Sequence, residues 1–171
     1  EAAWIMKSEM PELSVIMAPA ASVRDQFITA FPGIEKWARV TEDQDRAVDV
    51  MAAADYALAC SGTVTSELAV QGTPFLVGYR TGWITWALAR YFLFKPNHIT
   101  LLNIAADDSD IAPEYIQSEL DATVLAAEAT AMLVDEGRRQ AQIDAQNKAL
   151  SRMGERDEAA AHIAAKTILE V

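Results

Sequence analysis

The sequence is short of cysteine, histidine and basic residues, and each shortage removes a class of function. One cysteine, Cys60, in 171 residues cannot form an internal disulfide, which fits a reducing compartment such as the cytoplasm. It closes an apolar run, where a small buried filler is expected rather than a reactive thiol. The 2 histidines, His98 and His162, have no second ligand at metal spacing, so no zinc site and no cofactor are expected. Against 25 Asp and Glu stand only 14 Lys and Arg, a formal charge of −11. Nucleic acid is therefore disfavoured as a partner, because phosphate binding needs clustered cations. No apolar run reaches the roughly 18–20 residues that span a bilayer, and no secretory leader is visible. The chain opens on Glu1-Ala2-Ala3-Trp4, without Met and already in a helical pattern. We therefore expect it to begin inside a longer protein.

What is present is an apolar half of the sequence, spread along a chain long enough for one domain with a real core. Helix and strand patterns alternate. Residues 1–10 read as a helix and 13–18 as a strand. Ser22 is expected to cap a helix ending at Ala30 before Pro32-Gly33, and 37–41 is a weaker strand. A helix beginning at Asp43 or Asp45 runs to Ala54, with Ala47, Val50, Met51 and Ala54 on one face. Residues 56–60 form a strand, 63–71 a helix stopped by Gly72-Thr73-Pro74, and 75–79 another strand. An aromatic helix follows over 81–94, from Thr81 to Phe94, and 98–102 reads as the last strand. Helices are expected near 113–119, 122–135, 137–150 and 157–170. Continuously apolar strands separated by helices indicate an α/β fold, a parallel sheet with helices on both faces. We divide the chain into a sheet domain over 1–120 and C-terminal helices over 121–171, packing on that sheet or on a further domain.

In a parallel sheet, ligands collect at the carboxyl ends of the strands. Ser61, Gly62 and Thr63 stand at such an end. Gly62 allows close backbone approach, the first helical N–H groups are unpaired, and the helix dipole favours an anion. A phosphate or diphosphate is the natural guest. Glu67 lies four residues after Thr63, one beyond the capping-box position, on the same helix face and leaning toward the same mouth. It either accepts hydrogen bonds from a ribose diol or is a surface Glu favoured by the positive helix end, the Ser and Thr then merely capping the helix. Ser61 lacks the surroundings of a nucleophile, since no G-x-S-x-G elbow encloses it. Arg24-Asp25 and Asp43 to Asp45 read as solvated helix ends.

The run Ser61-Gly62-Thr63-Val64-Thr65-Ser66-Glu67, followed by Gly72-Thr73-Pro74-Phe75-Leu76-Val77-Gly78-Tyr79-Arg80, resembles the central motif of the lipid-A-disaccharide synthase family, S-G-T-x-T-x-E then G-x-P-x-V-V-x-Y-R. The likeness continues through Trp86-Ala87-Leu88-Ala89-Arg90 and His98-Ile99-Thr100-Leu101-Leu102-Asn103-Ile104. It extends to Ala112-Pro113-Glu114-Tyr115-Ile116-Gln117, covering residues 50–120 well and the flanks loosely. The resemblance implies the C-terminal, donor-binding half of a GT-B transferase with a Rossmann-like sheet. Such an enzyme moves a diacylated glucosamine from UDP-2,3-diacylglucosamine to 2,3-diacylglucosamine 1-phosphate, giving lipid A disaccharide and UDP. By the same resemblance Ser61, Gly62 and Thr63 hold the diphosphate and Glu67 the ribose. Tyr79, Arg80 and Asn103 line the cleft, with Glu114 and Gln117 nearby. The pattern departs at Ala106-Asp107-Asp108-Ser109-Asp110, where the family has an A-G-R-E-like turn; acids beside a diphosphate would weaken its binding. Nothing here resembles the family's N-terminal acceptor domain or its catalytic base, so the catalytic residues are unassigned and this half alone is expected not to turn over.

The helix expected over 81–94 carries Trp83, Trp86, Tyr91 and Phe92 beside Arg90. It reads as a core helix whose Arg ends snorkel, as an interfacial helix contacting anionic lipid on the inner membrane, or as a homodimer contact. Other readings of the whole chain are a non-catalytic UDP-sugar-binding module and a UDP-sugar epimerase of the same architecture.

Overall fold

A computed structural model describes residues 1–41, 47–60, 62–80, 82, 98–153, 165, 166, 168 and 169. The expected helix over 81–94 lies outside them apart from Gly82, as do Ser61, Asp43 to Asp45 and His162. Among the described residues the order is α1 (Ala2–Glu9), β1 (Ile16–Met17), α2 (Arg24–Ala30), β2 (Arg39–Val40), α3 (Ala47–Ala53), β3 (Ala57–Ala59) and α4 (Thr63–Val70). It continues with β4 (Phe75–Tyr79), α5 (Leu101–Ala105), β5 (Glu114–Ile116), α6 (Ala122–Val134) and α7 (Glu136–Arg152). No helix among these residues is long and apolar enough to cross a membrane.

Every strand pair among the described residues is parallel, in the expected α/β manner. β1 pairs with β2, and a second sheet runs β3-β4-β5. β4 explains why its sequence is apolar throughout. Phe75, Leu76 and Val77 are all fully buried, and alternation sends them to opposite faces. Phe75 and Val77 pack with Leu68 and Ala69 of α4, Leu102 of α5, and Ala149 and Leu150 of α7. Leu76 packs on the other side with Ala2 and Met6 of α1 and Leu125, Ala126 and Ala129 of α6. Helices thus cover both faces. α6 is started by Asp121, whose carboxylate accepts from the Thr123 and Val124 N–H groups at 2.8 and 3.1 Å.

Several expectations are corrected. Residues 98–102 are not a strand: the chain bends at Ile99 and Thr100, and Thr100 caps α5. The strand beside β4 is instead Glu114–Ile116, where a helix was expected. The open edge of β4 is what selects it, since the Val77 N–H donates to the Pro113 carbonyl at 2.8 Å. Ser22 does not cap α2, because it sits inside a 3-10 turn over Ala21–Val23 and Val23 takes the cap position. Arg24 is not a solvated end: its Nε donates to the Thr41 carbonyl at 3.1 Å, tying α2 to β2. Cys60 is exposed rather than a buried filler, because it follows the last paired residue of β3, where the chain leaves the sheet.

Candidate functional site

The strand register lines up one mouth. Val77 pairs with Ala59 on one side and Glu114 on the other. Three residues beyond each stand Gly62, Arg80 and Gln117, so the three strands release their chains in one row at the carboxyl edge. Tyr79 is the last residue of β4, opposite Ile116.

Gly62 is the N-cap of α4, with φ 143° and ψ −162°. That region is essentially restricted to glycine, and a Cβ there would meet no atom within 4 Å. The backbone is therefore open to a ligand. Among the described residues no side chain caps the first turn; Thr65 instead turns its hydroxyl back to the Gly62 carbonyl at 2.8 Å. The unpaired N–H groups and the dipole remain available to an anion. Thr63 and Glu67 are exposed on the same helix, and Glu67 makes no side-chain hydrogen bond or ion pair with the described residues. Arg80 is exposed at the end of β4. Gln117 is a left-handed non-glycine, φ 55°, and is only 6% exposed.

Asn103 and Glu114 do not stand in that row. Glu114 lies three residues below Gln117, about 10 Å at the usual rise of a strand, and caps the bend before α5. Its carboxylate accepts from the Ile99 N–H at 2.8 Å, the Thr100 N–H at 2.9 Å, the Thr100 hydroxyl at 2.7 Å and the Asn103 amide at 3.0 Å. Asn103 is fully buried. Sequence reasoning missed this knot because its partners are eight to fifteen residues apart in the chain.

The acidic loop also lies elsewhere than a cleft reading requires. Residues 106–110 precede the amino end of β5, whereas the mouth is at the carboxyl ends. Its acids are engaged. Asp107 pairs with Arg152 of α7, and Asp108 and Asp110 each bond one nitrogen of the His98 ring at 2.7 Å. Two carboxylates on two ring nitrogens require both nitrogens protonated, hence an imidazolium. Burial pulls the His98 pKa down, but the hydrogen bonds to Asp110 and Asp108 and the charge of Glu114 outweigh it, and the net shift is upward. Asp107 and Asp108 both take left-handed backbone angles, φ 61° and 60°, a turn these contacts hold in place. The only hint in the sequence was an acidic loop ten residues after a histidine.

A family model described as lipid-A-disaccharide synthetase matches residues 1–168. The lipid-A-disaccharide synthase of Nitrosococcus oceani is 38% identical over 141 residues, 82% of this chain and 35% of that protein. Those of Geobacter sulfurreducens and Paramagnetospirillum magneticum are 34% identical over 131 residues and 29% over 170. These cover 75% and 97% of this chain, and 33% and 42% of the relatives. The chain spans about a third to two-fifths of the length of the curated relatives it matches.

Proposed function

Because the chain belongs to the lipid-A-disaccharide synthetase family, we propose that it is the donor-binding half of a glycosyltransferase of lipid A biosynthesis. The donor is UDP-2,3-diacylglucosamine, the acceptor 2,3-diacylglucosamine 1-phosphate, and the products lipid A disaccharide and UDP. The reaction is a direct, inverting displacement. An acceptor oxygen bonds to the anomeric carbon as the bond from that carbon to the UDP oxygen breaks, and the electron pair leaves with the β-phosphate. The acceptor seat and the base that takes the hydroxyl proton are not assigned to residues of this chain. This chain stabilises the charge that grows on UDP, which preorganised donors do well because they need no reorientation as the charge develops.

The observation that carries this reading is the mouth. The Gly62 backbone is open and no side chain among the described residues caps α4, Arg80 leaves β4 at the same edge, and Glu67 is exposed one turn into α4. Ser61, Gly62 and Thr63 hold the diphosphate, Arg80 offsets its charge, and Glu67 takes the ribose diol. Tyr79 and Gln117 line the rim. Both substrates are acylated, so this reading also includes peripheral contact with the cytoplasmic face of the inner membrane through residues 81–94. Calorimetric titration of UDP into the chain tests the reading. Binding is expected, and Glu67→Ala and Arg80→Ala each weaken it by about tenfold or more, the usual worth of a hydrogen bond to a charged group. No detectable binding, or variants that bind like the wild type, would refute it.

A further inference from the structure

We propose that Asn103 and Glu114 are positioning residues of this mouth and do not touch the nucleotide sugar, an inference that rests on the donor-site reading above. An asparagine side chain offers two N–H donors and two carbonyl lone pairs. Asn103 uses all four within the chain. Its amide nitrogen donates to the Ala112 carbonyl at 2.8 Å and to Glu114 at 3.0 Å, and its oxygen accepts from the Ile111 and Ala112 N–H groups, both at 3.0 Å. With no exposed surface and no spare lone pair or proton, it has nothing to give a ligand. Glu114 accepts four hydrogen bonds, three of them on Oε1.

What this knot holds is β5. The strand is three residues long, Glu114–Ile116, too short to keep its register on ladder bonds alone. Asn103 fixes the run that enters it at Ile111 and Ala112, and Glu114 ties its first residue to the bend before α5. The residue that leaves it is Gln117, left-handed and buried, in the row with Arg80 and Gly62. A non-glycine keeps such a conformation only where its surroundings over-determine it. The knot anchors the strand that carries Gln117 into that conformation, one strand length away.

The test uses the chain as wild type, Asn103→Ala, Glu114→Gln, Gln117→Ala and the pair Asn103→Ala with Gln117→Ala, at a temperature where each is folded. Two readouts are taken. Without ligand, amide hydrogen exchange over 115–118 is expected to quicken in Asn103→Ala and Glu114→Gln. With UDP as the probe, affinity is expected to fall at least about threefold in each single variant, and Asn103→Ala to add nothing once Gln117 is Ala, the non-additivity of residues acting through one another. An undiminished extra loss in the pair would overturn the proposal in favour of direct contact. Faster exchange with unchanged UDP affinity would overturn it in favour of a purely structural role, and unchanged exchange would show that the knot does not hold Gln117. If the wild type binds no UDP, the donor reading falls, while the exchange comparison still decides whether the knot governs the end of β5. Should Asn103→Ala fail to fold, Glu114→Gln, which keeps an acceptor oxygen, carries both readouts.

Discussion

Replacing His98 by Ala tests the charged clasp on the acidic loop most directly. In the wild type the ring donates to Asp108 and to Asp110, both at 2.7 Å. The Asp108 side chain is 29% exposed, so its hydrogen bond to a charged partner is worth about 1.5 kcal/mol. Asp110 is 86% exposed, and solvent screening reduces its share to about 0.5 kcal/mol. The loss is therefore about 2 kcal/mol where His98 is protonated, or ~4–8 °C in Tm for a domain of this size. The folded-state pKa is raised above the ordinary 6.5. The stabilisation is thus fully present below 6.5 and disappears as pH rises through the folded value. Thermal melts of wild type and His98→Ala between roughly pH 5 and 9 measure it, a window chosen to keep the carboxylates ionised. The gap in Tm should be widest at the acid end and shrink toward the alkaline end. A gap that ignores pH, or one that widens as pH rises, would refute the clasp.

Three further outcomes follow from local geometry. Gly62→Ala meets no atom but forces a side chain onto a positive φ, so it should cost about 1–2 kcal/mol in urea denaturation and abolish calorimetric UDP binding; unchanged binding would count against ligand approach at that backbone. Gly78→Ala would put a Cβ 2.7 Å from Leu120 Cδ1, the movable end of a half-buried side chain just before α6, and should cost at most about 1 kcal/mol by the same measurement; a larger loss would show that Leu120 cannot turn aside. Asp121→Ala removes the N-terminal side-chain cap of α6 and should cost about 1 kcal/mol by the same measurement; no change would mean that packing alone starts the helix.

How much was legible depended on how far each signal reaches along the chain. β4 was read with its true bounds, 75–79, because an unbroken apolar run between Pro74 and a polar residue has few other solutions. α4 is legible from its Gly-Thr-Pro stop, and α6 stands where a helix over 122–135 is expected. The bend and helix at 98–105 were misread because Ile99, Leu101 and Leu102 form a short apolar run that suits either strand or helix. The companion expectation, a helix over 113–119, gives way to β5 and a 3-10 turn over Gln117–Glu119. Of the expected site, Gly62, Arg80 and Gln117 stand in one row with Thr63 and Tyr79 beside them, Glu67 lies a turn further into α4, and Asn103 and Glu114 sit outside the row.

By itself the sequence determined the alternation of helices and strands, the parallel sheet covered on both faces, and the glycine-led junction before α4, because these follow from hydrophobic period, capping and turn chemistry between near neighbours. Only the tertiary structure decided which short run would take the open edge of β4, that Asn103 would saturate itself inside the fold, and that the acids at 107–110 would be met by His98 and Arg152. Those outcomes depend on hydrogen bonds and charges brought together over separations of 8 to 45 residues, where no local pattern records which partner will arrive.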